Sequence, residues 1–178
     1  MYPVFRFTKE MLAARRLEPL SPLGTHVSHH ICWPWDIDLW MELNNGRTLT
    51  FYDLGRIPLA VRVGLARILS EKKLGMVIAG ASVRYRRRIR VFERVEMRSR
   101  AVCWDDRFLY VEQAMFKAGG ECANHALLRC AVTGPSGIVP PGEAAPSFGP
   151  SPDMPEWVRA WSEADATRPW PPMQESLA

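Results

Sequence analysis

Nothing in this chain approaches the roughly 18 consecutive apolar residues that a membrane-crossing helix needs; the most apolar segment, GMVIAGASV, is half that length. Cysteine is sparse and badly spaced for a staple. Cys32, Cys103, Cys122 and Cys130 include no CxxC pair and lie in apolar alternating stretches, which argues for reduced core thiols over a disulfide set or a zinc site. Histidine is equally scarce: HVSHH reads as strand, with His26 and His30 on one face, and is assigned to strand packing rather than to ligation. No metal and no cofactor is expected. The opening MYPVFRFTKEMLAARR is interrupted by Arg6, Lys9 and Glu10 before any hydrophobic region forms, so no secretory leader and a cytoplasmic location are expected. Internal repeats are absent as well.

What is present fits one globular domain with a sizeable core plus an appendage: 178 residues, 47% hydrophobic and 24% charged. The net charge of +4 is unevenly spread. In VRYRRRIRVFERVEMRSR eight arginines, at 84, 86, 87, 88, 90, 94, 98 and 100, face two glutamates, at 93 and 96, which implies an anionic partner.

The spacing predicts a short helix over 8–16, broken by the prolines of EPLSPLG, then a strand over 25–35. At Asn44 or Asn45, both good N-caps, the period becomes helical through GRTLTFYDLGR. Pro58 is expected to end that helix and open a second, closing at Lys72, Lys73 and Gly75. After Gly75 the period is two. Val83, Tyr85, Ile89 and Val91 alternate with Arg84, Arg86, Arg88 and Arg90 on one expected strand, Arg87 falling out of phase. DDR and KAGGE read as hairpin turns joining the next strands, and the preceding helix is the available cover for the sheet. From Gly134 to Pro155 the composition shifts to Pro, Gly, Ser and Ala. A terminal helix is expected in PEWVRAWSEADA, with Trp157 and Trp161 docking on the domain or on a twin subunit.

Residues 34–56, PWDIDLWMELNNGRTLTFYDLGR, crowd acids, an Asn pair and a Gly into the strand-to-helix junction. The segment resembles the DxDxxxHxNNxxYLxxxDxxR signature of hot-dog acyl-CoA thioesterases related to 4-hydroxybenzoyl-CoA thioesterase. ASVRYRRRIRVFERVEMRSRAVCWDDRFLYVEQ is similar to the matching strands of their THEM-six-like branch. Together these cover roughly residues 25 to 134 in the right order. The resemblance implies an α+β hot-dog fold, an antiparallel sheet wrapped around a central helix. The domain is placed at 25–134, with an N-terminal extension at 1–24 and a Pro/Gly-rich C-terminal extension at 135–178. The resemblance also implies a homodimer, or a dimer of dimers, whose acyl-CoA sites lie at the subunit interface. The family's catalytic acid falls on Asp38. Glu42 stands where the family has His and is a candidate catalytic residue, as a hydrogen-bonding partner or an acid/base itself, or else the mark of a site that no longer turns over; Thr48 stands where the family has an aromatic residue.

That assignment makes chemical sense. Thioester hydrolysis needs a carboxylate to direct water or to attack the carbonyl, and donors for the oxyanion that develops. The amides of Asn45, Gly46 and Arg47, at the positive end of a helix, are the expected donors. Asn44 or Asn45 supplies the cap. Asp36 or Asp38 instead solvates a strand end or caps the helix on the plainer reading, and Asp53 and Arg56 are spaced to pair. Arg84, Arg86 and Arg88 are the expected platform for the phosphates of coenzyme A, against a plainer reading as a solvated face paired with Glu96 and Glu112. No stacking platform interleaves these arginines, so nucleic acid is not expected, nor is a membrane partner. The expected function is an acyl-CoA thioesterase, with a non-catalytic acyl-CoA or lipid-binding protein as the alternative and a hydratase ranked last.

Overall fold

The computed structural model describes residues 2–172. Three long strands, β3 (Arg94–Trp104), β4 (Leu109–Lys117) and β5 (Cys122–Gly134), form the middle of an antiparallel sheet. The edge strands β1 (His26–Ile31) and β2 (Gly75–Tyr85) give the order β1-β3-β4-β5-β2, with a short β6 (Gly137–Val139) also on β5. The period-two pattern decides which face is covered. Val95, Met97 and Ser99 on β3, Val111, Gln113 and Met115 on β4, and Ala126, Leu128 and Cys130 on β5 share one parity and are buried. Against them lies α2 (Asn45–Arg62), burying Phe51, Tyr52, Leu54 and Leu59. This is the α+β hot-dog arrangement, a curled sheet around one helix.

At the centre of that contact the helix has no side chain. A Cβ on Gly55 would stand 2.5 Å from both Met97 Sδ and Ser99 Oγ, so glycine permits the approach. Gln113 Nε2 reaches across to donate to the Tyr52 carbonyl at 2.9 Å and to Ser99 Oγ at 2.7 Å.

Two expectations are corrected. Pro58 lies inside α2, which runs on to Arg62. The ring deprives the Leu54 carbonyl of its i+4 donor, but both residues are buried, and packing against the sheet outweighs the lost bond. The break falls instead at Gly64, whose φ of 79° opens α3 (Leu65–Glu71). Nor does one strand run from Val83 to Val91: β2 ends at Tyr85 and residues 86–93 form a loop. The out-of-phase Arg87 marks that break.

The described helices before β1 and after β6 pack on the rest of the chain. α1 (Val4–Arg16) lies against α2. After β6, a single turn α4 (Pro141–Ala144) leads to α5 (Glu156–Ala166), which crosses the opposite face of the sheet. There Val158 and Trp161 join Tyr110 and Leu127, and Trp157 meets the His125 ring. All four cysteines are free, and three are buried. His26 and His30 share the buried face of β1, as expected. Among the described residues no helix is long and apolar enough to cross a membrane and no side-chain group forms a metal cluster.

Candidate active site

The junction before α2 is built around Asp36. Its carboxylate is fully buried and takes two hydrogen bonds of 2.8 Å from the Arg6 guanidinium, one of 3.0 Å from the Trp33 amide, and an ion contact of 3.3 Å from Arg47. With its lone pairs committed, Asp36 is structural. Residues 38–41 then make a tight turn in which Met41 N–H reaches the Asp38 carbonyl and Asp38 N–H reaches the Glu42 carbonyl. Asp38 Oδ1 accepts from the Trp40 amide at 2.9 Å, the usual Asp role at the head of a turn. Asn44 is the N-cap of α2: its Oδ1 accepts from the Gly46 and Arg47 amides, at 2.9 and 3.2 Å. Two of the three amides expected to polarise a carbonyl therefore serve the cap, and Asn45 N–H is the first-turn donor the cap does not use.

Beside that first turn lies an open pocket of about 170 Å³. Asn45 and Thr48 of α2, Glu42 and Leu43 before it, Tyr85 at the end of β2, the loop from Arg86 to Ile89, and Asn124 of β5 line it. Of the residues singled out from the sequence, Glu42, Asn45, Arg86 and Arg88 meet here. Asp38, Asn44, Gly46 and Arg47 are not among its lining residues, nor is Arg84, which pairs with His125 along the β2–β5 ladder. Glu42 Oε2 is 2.9 Å from Arg88 Nε but without hydrogen-bond alignment, so the contact is an ion pair that leaves the oxygen's lone pairs open.

Asn124 completes the site and was not singled out from the sequence. Its Oδ1 accepts from the Tyr52 hydroxyl at 2.6 Å, which fixes the amide and leaves its NH₂ for the pocket. Burial pushes the Tyr52 hydroxyl pKa up, so it remains a donor. Tyr85 sits 3.4 Å from the Asn45 carbonyl, and burial raises its pKa too. The signal was in the pattern: Asn124 is a polar residue on the parity of Ala126, Leu128, Cys130 and Val132, the buried face of β5. The arrangement brings an acidic residue, an amide with a free NH₂ and the first residue of a helix to one small space, with arginines among its lining.

Comparison with known proteins agrees with this architecture. Solved structures with the same fold include the putative oleoyl thioesterase of Lactobacillus plantarum, with a TM-score of 0.65 and 15% identity, covering 75% of this chain and 56% of that one. Another is the DHNA-CoA thioesterase of Staphylococcus aureus, with a TM-score of 0.62 and 14% identity, covering 80% of this chain and 91% of that one. Among curated relatives, Protein THEM6 of Xenopus laevis is 38% identical over 100 residues, 55% of this chain and 48% of the relative. Protein THEM6 of Danio rerio is 32% identical over 116 residues, 63% of this chain and 57% of the relative. The chain thus spans about half the length of these two relatives. The model of the thioesterase-like superfamily matches residues 32–162, from the end of β1 through most of α5, and the chain belongs to that superfamily.

Proposed function

We propose that the chain is an acyl-CoA thioesterase, hydrolysing an acyl-CoA to the free acid and CoA. The observation that carries this reading is the convergence of Glu42, Asn45 and Asn124 on one pocket that Arg86 and Arg88 also line. Glu42 takes a proton from water as the water oxygen bonds to the thioester carbon. The oxyanion that forms is held by the Asn124 NH₂ and the Asn45 N–H, and its collapse breaks the C–S bond. The proton passes to the departing thiolate. Arg86 and Arg88 suit the phosphates of the nucleotide end. Asp38, the acid that family resemblance selects, is one backbone hydrogen bond from Glu42 and is the second candidate for the base.

A homodimer belongs to the same reading. β2 is an eleven-residue edge strand with Val77 51% exposed, and its last residue, Tyr85, lines the pocket. A long apolar edge is a template for another strand, and a second copy pairing there brings its own residues beside the site.

The Arg88 guanidinium against Glu42 favours one rival, a non-catalytic acyl-CoA-binding protein in which that carboxylate only anchors the loop. The test is CoA release, followed by free thiol, from short, medium, long and aryl acyl-CoAs with the wild type, Glu42→Ala and Asp38→Asn. We expect turnover that falls at least about 100-fold in Glu42→Ala. Unchanged turnover in both variants removes these acids from the mechanism. Saturable binding with no turnover on any substrate establishes the rival.

A further inference from the structure

We infer that the tip formed by the 38–41 turn and the 86–93 loop docks on the surface of a lipid bilayer carrying anionic headgroups. The two segments are one unit: Glu42 bridges to Arg90 and Leu43 N–H bonds the Ile89 carbonyl, so the turn and the loop project side by side. Trp33 ties the aromatic residues together, stacking on Trp35 at 5.5 Å and meeting Phe92 edge-on at 6.1 Å.

The side chains that project are apolar. Leu39 is 93% and Trp40 73% exposed, and Trp35, Met41 and Phe92 are exposed with them. A tight turn is normally polar, so a cluster of this size signals a binding surface. The backbone adds an independent observation. Met41 closes its turn at φ 58°, and Phe92 holds the third position of the Arg90–Glu93 turn at φ 61°. Both are places where glycine or asparagine is relaxed and a bulky side chain is strained. The chain thus presents an apolar side chain at each of two positions where the backbone disfavours it, a pattern that accompanies function.

Shape and charge select the partner. These residues protrude rather than line a groove, which suits insertion among acyl chains, with tryptophans at the headgroup level. Three cations of the loop region are matched by acids, Arg88 with Glu42, Arg87 with Glu121 and Lys117 with Glu93. Among the described residues no carboxylate is ion-paired with Arg86 or Arg90, and against them the tip sets one further acid, Asp38, so a small net positive charge remains beside the apolar residues, complementary to anionic lipid. A second copy fits less well, because a two-fold contact would set this surplus against itself, and the largely apolar β2 edge already offers a template. The contact is superficial and needs no spanning segment, although sequence alone leads to no membrane partner.

The experiment is co-sedimentation of the full chain with phosphatidylcholine vesicles containing about 30% phosphatidylserine, and with phosphatidylcholine alone. It uses the wild type, Leu39→Ser/Trp40→Ser and Arg90→Gln, with the oligomeric state of each measured in parallel. We expect wild-type binding to the mixed vesicles that drops at least tenfold in the double variant, falls severalfold in Arg90→Gln, and weakens in high salt. The inference is overturned by a wild type that stays in the supernatant, by a double variant that binds like the wild type, or by a double variant whose subunits separate, which would make the tip a subunit interface. Because vesicle binding is read without substrate, its failure leaves the thioesterase reading standing, and the reverse holds.

Discussion

Arg6 and Asp36 are thirty residues apart and meet in a two-pronged ion pair, both N–O distances 2.8 Å, with the carboxylate sealed from water. Through it the first helix clamps the junction that carries Glu42 and the α2 cap. Removing one partner leaves a buried charge uncompensated. Arg6→Met is therefore expected to lower the unfolding free energy by about 3–5 kcal/mol, measured by urea denaturation. A loss under 1 kcal/mol would mean that Arg47 and the Trp33 amide satisfy Asp36 unaided.

Gly55→Ala is expected to destabilise the chain by about 1–3 kcal/mol, because its Cβ would overlap the buried Met97 and Ser99 side chains. A thermal melt checks this. An unchanged midpoint would show that the helix can lift off the sheet freely.

Met41→Gly is expected to stabilise by about 1 kcal/mol, the relief of a left-handed residue less the entropy that glycine loses on folding. The same variant is expected to bind anionic vesicles less well. Both readouts come from one protein, so a stabilised variant with full vesicle binding would separate strain from docking.

Stability should fall with acid before most carboxylates titrate. Burial lowers the pKa of His26 to about 4 and of His30 to about 3, so both stay neutral in the fold while the unfolded chain takes up protons near pH 6.5. Their contribution is complete above that value. As the pH drops, each costs about 1.4 kcal/mol per unit until its folded pKa is reached. His26 is further fixed as the Nε2–H tautomer, since Arg62 donates to its Nδ1. Denaturation midpoints between pH 7 and 4.5 are expected to decline, and less steeply in His30→Phe.

Asn124→Leu is expected to lower kcat about 100-fold with little effect on KM, the mark of a group that holds the transition state. Tyr52→Phe, which frees the Asn124 amide to turn, should show a milder form of the same split. A change in KM alone would recast Asn124 as a binding group.

Much of the fold could be read from local chemistry, since alternation, hairpin turns and an Asn cap each act within a few residues. Asn44 was legible as a cap because its side chain bonds the next turn. The separate fates of Asp36 and Asp38 were not legible in the residues themselves, because the two acids have the same spacing parity and what buries one of them is chiefly a guanidinium thirty residues upstream. Pro58 misled for a related reason: local sterics forbid a helix there, and distant packing overrules them. Around the pocket, Glu42 and Asn45 were visible in the junction sequence. Asn124 needed the sheet to bring β5 beneath the first turn of α2.

The last helix has a consequence for assembly. By laying Val158 and Trp161 over Tyr110 and Leu127, the chain occupies part of the sheet's outer face with its own material, and the Arg129–Asp165 pair pins it there. Copies stacked back to back on that face would first have to displace it. The back of the sheet is thus partly closed by the chain's own last helix, whereas the β2 edge is left open, so any strand added to this sheet has one rim to join and no bare back to cover.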